Sequence, residues 1–247
     1  MSTPPSHSPT VLLLHGSDGN ESLLPLQQAL GAQARCLLPV HPGFGGQAVP
    51  SWLDNVADLA NFYLEFIAQQ GLTDVHLVGV DLGGWIAADM AVRNGTALAS
   101  LTLVGALGIH VEGVPVVDVF LRTDEQLIAD SIHSAALAEQ LVQAPRSAEQ
   151  EEIAIKNKEL TARLTWQPRG HDPHLAKWLH RIGTPTQVVW GAQDRILPLA
   201  YGEAWCAQIP GAQLVTLADC GHAPQTEKPA ELAAAIAQFT SSVRSHA

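Results

Sequence analysis

Residues 75–84, with the sequence VHLVGVDLGG, determine the fold expected for this chain. The apolar run 75–78 predicts a short buried strand, and residues 85–92 predict a helix. Between them a glycine-framed turn presents one reactive side chain, Asp81, at its apex, where bulkier neighbours would clash with the sharply turning backbone. Because the N-terminus of a helix stabilises negative charge, we expect Asp81 to be ionised and to point out of the turn.

Strands and helices alternate on both sides of this turn. Apolar runs predict further strands at 10–14, 35–40, 98–104, 186–190 and 213–217. Amphipathic or capped stretches predict helices at 23–30, 51–70 (with Ser51 as the cap), 177–181, 201–208 and 230–243. Such alternation predicts an α/β fold with a doubly wound, mostly parallel sheet.

The alternation stops over residues 106–170, where helices are predicted at 124–143 and 148–164. We therefore expect a core formed by residues 10–105 and 171–247, a small helical lid inserted at 106–170, and a disordered leader at 1–9. Ligands bind beyond the carboxyl ends of parallel strands. Asp81, Asp194, His222 and the loop after His15 all follow predicted strands, so a site is expected there.

Composition excludes several classes of function. The chain has 247 residues and a formal net charge of -11, which disfavours nucleic acid and anionic membranes as partners. The sequence has neither the basic and apolar regions of a signal peptide nor an apolar run of about 18 residues, so we expect a cytoplasmic protein. The three cysteines lack metal-ligand spacing, and no dinucleotide or phosphate-loop glycine pattern follows a strand. A small-molecule substrate, with no metal and no cofactor, is the expected partner.

Five motifs occur in the order found in enzymes of the α/β-hydrolase fold, which the chain resembles. They are residues 14–16 (LHG), 41–45 (HPGFG), the turn at Asp81, 190–194 (WGAQD) and 221–224 (GHAP). The resemblance implies a catalytic set of Asp81 as nucleophile, Asp194 as orienting acid and His222 as base. It also implies that the backbone N–H groups of Ser17 and Leu82 bind an oxyanion.

Two features depart from that family. Its members usually have two further strands before the first one found here, and nine residues cannot supply them. The resulting exposed sheet edge favours a homodimer. The apex residue is commonly serine, which attacks an acyl carbon, whereas the carboxylate of Asp81 suits displacement at an sp³ carbon. That reaction gives an alkyl–enzyme ester, which water activated by His222 then hydrolyses.

Haloalkane and haloacetate dehalogenases and epoxide hydrolases resemble this arrangement, and a dehalogenase-like substrate is preferred because the predicted lid lacks tyrosine. Two alternatives stay open. Residues 85–93 and 164–168 resemble serine-type esterases, in which case His222 activates water directly and Asp81 only raises the pKa of the histidine. The second alternative is a non-catalytic ligand-binding protein. The candidates for lining the substrate pocket are His15, His133, Arg163, Trp166 and Trp178.

Overall fold

A computed structural model describes residues 8–31 and 33–243 of the chain. Most of the predicted leader, residues 1–7, lies outside the described residues, and Ser8 and Pro9 lead directly into the first strand. No helix in the described part of the chain combines the length and the apolar character needed to cross a bilayer.

Six parallel strands form one sheet in the order β2-β1-β3-β4-β5-β6, which confirms the predicted α/β fold. The strands are β1 (Thr10–Leu14), β2 (Arg35–Leu37), β3 (Val75–Val80), β4 (Leu98–Val104), β5 (Thr186–Gly191) and β6 (Gln213–Leu217). Strand β3 lies between β1 and β4 with every residue buried. The turn that follows β3 is therefore held at the centre of the sheet, at its carboxyl edge.

Helices cover both faces of the sheet, and buried apolar side chains form a core against each face. The core helices are α1 (Leu24–Leu30), α2 (Val56–Gln69), α3 (Leu82–Arg93), α7 (Pro173–Ala176), α8 (Ala200–Gln208), α9 (Pro224–Glu227) and α10 (Pro229–Ser242). Between β4 and β5 the chain adds α4 (Asp124–Ser131), α5 (Ala135–Gln143) and α6 (Ala148–Thr165).

The start of α2 differs from the prediction. The helix begins at Val56 instead of just after Ser51, because Asn55 is the capping residue. The Asn55 side chain accepts a hydrogen bond from the N–H of Asp58, and the Asp58 carboxylate accepts one from the N–H of Asn55. Trp52, expected on the helix, instead lies in the preceding turn and is 45% exposed.

Two further boundaries were predicted wrongly. The single helix expected over 124–143 is two helices: α4 ends at Ser131, and α5 begins at Ala135 with Ser134 as its cap. Strand β2 ends at Leu37, so it is shorter than the expected 35–40, and it lies at the edge of the sheet. In the described part of the chain the first strand is β1. The proposals that 106–170 acts as a lid and that the edge favours a homodimer stay predictions.

Candidate active site

Asp81 occupies a strained turn between β3 and α3. Its backbone has a φ of 53° and a ψ of -117°, a conformation that non-glycine residues rarely adopt. Neighbouring glycines permit the turn. A Cβ atom on Gly83 would lie 2.1 Å from the carbonyl oxygen of Leu14, and one on Gly79 would lie 2.2 Å from that of Gly83. The predicted glycine-framed apex is therefore present, and its backbone is packed too tightly to accept side chains at either glycine.

The structure brings the three predicted catalytic side chains together. His222 lies in the loop after β6, and its Nδ1 is 2.8 Å from Oδ2 of Asp194. The other ring nitrogen, Nε2, lies 3.9 Å from Oδ1 of Asp81. Oδ1 of Asp194 accepts hydrogen bonds from the backbone N–H groups of Ile196 and Leu197. The loop after β5 thus fixes Asp194, and Asp194 in turn orients His222.

Ser17 holds the carboxylate of Asp81 with two hydrogen bonds. Its backbone N–H and its hydroxyl both donate to Oδ2, at 3.0 and 2.7 Å. The sequence prediction gave Ser17 a role only through its backbone N–H, so it missed the hydroxyl. The hydroxyl next to a histidine–glycine pair was the available signal. Because Ser17 engages Oδ2, the other carboxylate oxygen of Asp81 faces His222.

The second predicted oxyanion donor is the backbone N–H of Leu82. Leu82 is the first residue of α3, so this N–H has no acceptor within the helix. The N–H of Ser17, by contrast, is engaged by Asp81 in this structure. The two donors of the predicted oxyanion site are therefore present, but one of them already binds the apex carboxylate.

The charges at the site are strongly coupled. Burial disfavours the charged imidazolium of His222, but the carboxylates of Asp194 and Asp81 outweigh it and raise the pKa of His222 to about 10. Burial likewise opposes ionisation of Asp81, yet His222 and the hydrogen bonds from Ser17 hold the pKa of Asp81 below its ordinary value. The raised pKa predicts that His222 is an imidazolium at neutral pH, with Asp194 at Nδ1 and Asp81 near Nε2.

This coupling predicts how the protein responds to pH. His222 should stay protonated up to about pH 10 in the folded protein, whereas its pKa in the unfolded chain is about 6.5. The stabilisation from its protonation is fully present below about pH 6.5 and is lost as the pH rises through the folded pKa. We expect NMR titration of the His222 ring to give the raised pKa, and the free energy of unfolding to fall toward pH 10. An Asp81→Asn variant should lower the pKa of His222; an unchanged value would contradict the coupling.

A buried network supports the loop that carries Ser17. The N–H of His41 donates to Nε2 of His15, so Nδ1 of His15 carries the proton and donates to the carbonyl of Gly16. Nε2 of His41 then donates to the carbonyl of His15, and Tyr63 donates to Nδ1 of His41. Burial lowers the pKa of His15 to about 4, so the ring is neutral. His15, a predicted pocket residue, is fully buried and holds its loop instead.

The structure places the other four pocket candidates on the surface. Trp166 and Trp178 are 53% and 49% exposed, and Arg169 stacks on the ring of Trp166. Arg163 donates to the carbonyl of Leu53 and pairs with Asp54, while His133 is exposed. Within the described residues, no hydrogen bond or ion pair joins any of these four side chains to Asp81, Asp194 or His222. In the same part of the chain, no group of three or more potential ligands could hold a metal ion.

Comparison with known proteins shows what the chain is similar to. The sequence profile of the alpha/beta hydrolase family matches residues 11–235. A monoacylglycerol lipase of Xenopus laevis is 26% identical, with 98% of this chain and 78% of that protein aligned. Lipase 1 of Psychrobacter immobilis is 27% identical over 88% of this chain and 72% of its own length. An esterase of Rhodococcus sp. superposes with a TM-score of 0.75 at 20% identity, covering 98% of this chain and 94% of the esterase.

Proposed function

The chain belongs to the alpha/beta hydrolase family and is a hydrolase, and from this premise we propose that it cleaves a small carboxylic ester by direct attack of water. His222 removes a proton from the water, Asp194 orients His222, and Asp81 takes no covalent part. This is the esterase-like alternative. The lipase and esterase relatives favour it over the dehalogenase-like reaction first expected.

The observation that carries the proposal is the distance of 3.9 Å between Nε2 of His222 and Oδ1 of Asp81. It is too long for a direct hydrogen bond, but one water molecule can hydrogen-bond to both atoms. The hydrogen bond from Asp194 holds the ring so that Nε2 faces this position. Attack by Asp81 itself on an acyl carbon would give an anhydride, whereas attack by the water gives the free acid and releases the alcohol.

The proton balance predicts a distinctive pH profile. The water loses its proton to neutral His222, and the departing alkoxide takes that proton from Nε2. With a pKa of about 10, only about 1% of His222 is neutral at pH 8. We expect kcat/KM for nitrophenyl acetate or butyrate to rise about tenfold per pH unit between about pH 7 and 9. A His222→Gln variant should lose both the activity and this pH dependence.

A second candidate rests on a different observation. Because Ser17 binds only Oδ2, Oδ1 of Asp81 is oriented toward His222 and is available to attack an sp³ carbon. The bond from that carbon to its halide or epoxide oxygen would break, and an ester would form at Oδ1. Esterification removes the charge of Asp81, which lowers the pKa of His222 and makes it a base for the second step.

Single turnover in water enriched in heavy oxygen separates the two candidates. Direct attack places the label in the acid product and leaves Asp81 unlabelled. The covalent route places the label in the Asp81 carboxylate. For that route kcat/KM should not change with pH up to about pH 10, where the imidazolium of His222 is lost. The pool of substrates contains nitrophenyl esters, haloacids, haloalkanes and epoxides. If none of these compounds is turned over and none leads to labelling, both candidates are overturned and a binding protein is favoured.

A further inference from the structure

Residues 131–134, from the last residue of α4 to the cap of α5, are attached to the loop that carries His222. The backbone N–H of His222 donates to the carbonyl of Ser131 at 2.7 Å. The approach is so close that a Cβ atom on Gly221 would lie 2.3 Å from the same carbonyl oxygen. The position of the His222 backbone therefore depends on a segment far from it in sequence.

Glu227, at the end of α9, connects the same two segments through its side chain. Oε2 accepts a hydrogen bond from the N–H of Gly221 at 2.6 Å, and Oε1 accepts one from the N–H of Ser134 at 2.8 Å. Hydrogen bonds to an ionised carboxylate are shorter and stronger than those between neutral groups. The consecutive N–H groups of Gly221 and His222 are thus both fixed, one by Glu227 and one by Ser131.

The loop of Asp194 is tied to the same segment from the other side. Arg195, the next residue, donates from Nη2 to the carbonyls of Ala129 and Ile132 at 2.5 and 2.7 Å. These carbonyls lie in the last turn of α4 and just beyond it, where helices leave acceptors unpaired. Residues 129–134 therefore contact both loops whose side chains form the His222–Asp194 hydrogen bond.

From these contacts we propose that Glu227 is a positioning residue that sets the His222–Asp194 hydrogen bond through the backbone of residues 221 and 134. The side-chain hydrogen bonds of Glu227 within the described residues go to the backbone of Gly221 and Ser134 and not to the ring of His222. Its carboxylate is suited to the task because it offers two acceptors to two N–H donors. A glutamine has only one acceptor oxygen, and its amide group would meet the second N–H donor-to-donor.

The test compares Glu227→Gln with Glu231→Gln, which makes the same chemical change on the next helix. Glu231 is exposed and pairs with Lys228 at the surface. In Glu227→Gln we expect the far-downfield proton resonance of the His222 Nδ1–H to weaken and the pKa of His222 to fall. Glu231→Gln should leave both unchanged. These readouts report the hydrogen bond and the charges around His222 and not turnover, so they stand apart from the proposed function.

Turnover on an ester provides a second readout. We expect Glu227→Gln to lower kcat by roughly 10- to 100-fold with little change in KM, because the ring is displaced while the substrate contacts stay. Glu227→Asp, whose shorter side chain reaches only one N–H, should give a smaller loss. A folded Glu227→Gln protein with the parent resonance and pKa would overturn the proposal, even if its activity fell.

The proposal is also testable in the unaltered protein. If Glu227 binds both backbone groups, the amides of Gly221 and Ser134 should exchange with solvent slowly and at similar rates. Exchange of the Gly221 amide at the rate of an open surface loop would overturn the proposal. This measurement decides the question where the variants fail to fold.

Discussion

Replacing Asp81 with serine should convert the protein into an efficient serine-type esterase. The backbone at position 81 already has the strained conformation of the apex, with a φ of 53°, and His222 and Asp194 are already hydrogen-bonded at 2.8 Å. Removing the carboxylate removes one of the two charges that raise the pKa of His222, so more of the ring is neutral near pH 8. It also releases the N–H of Ser17 to bind an oxyanion.

We expect Asp81→Ser to hydrolyse nitrophenyl butyrate at least about 100-fold faster than the parent protein, the usual contribution of a positioned base acting on a nucleophile. The variant should also react with a fluorophosphonate, and peptide mapping should locate the adduct on the peptide that contains position 81. Asp81→Ala, which lacks the hydroxyl, and Asp81→Ser combined with His222→Gln, which lacks the base, are the controls. Neither should show the gain in activity. A folded Asp81→Ser protein that resists the fluorophosphonate would show that the site lacks the assembled esterase geometry.

The Asp194→Asn variant should retain the fold and lose most of the turnover. The side-chain oxygen of asparagine can still accept the hydrogen bonds that the N–H groups of Ile196 and Leu197 donate to Oδ1 of Asp194. Its amide group, however, would face Nδ1 of His222, which forces the other tautomer and removes the negative charge from a fully buried carboxylate. The ring then no longer presents an unprotonated Nε2 to the water.

We expect kcat to fall by about 10³-fold or more in Asp194→Asn. The pKa of His222 should fall as well, because Asp194 provides the largest favourable interaction with the imidazolium. Asp54→Asn is the matched control, since Asp54 is an exposed carboxylate that pairs with Arg163 at the surface. A loss of less than about tenfold in Asp194→Asn, measured in a protein with the parent melting temperature, would contradict the role assigned to Asp194.

The sequence by itself determined the parts of the molecule that depend on local pattern. The segments 10–14, 98–104 and 213–217 are strands at the predicted bounds, because short apolar runs between helical segments identify them. The glycines at 79 and 83 identified the turn at Asp81, since only a residue without a side chain fits there. The order of the motifs placed Asp194 and His222 at the same edge of the sheet, because parallel strands all end there.

Only the tertiary structure decided which polar groups meet. The hydroxyl of Ser17 binds Asp81 although 64 positions separate them, and Glu227, which also binds Gly221, lies 93 positions from its other partner, Ser134. No local period encodes such contacts, since they depend on where loops from different strands converge. For the same reason Trp166 and Arg163 were expected in the pocket but lie at the surface, paired with Arg169 and Asp54. The raised pKa of His222 also follows from this convergence, because Asp81, after β3, and Asp194, after β5, flank its ring.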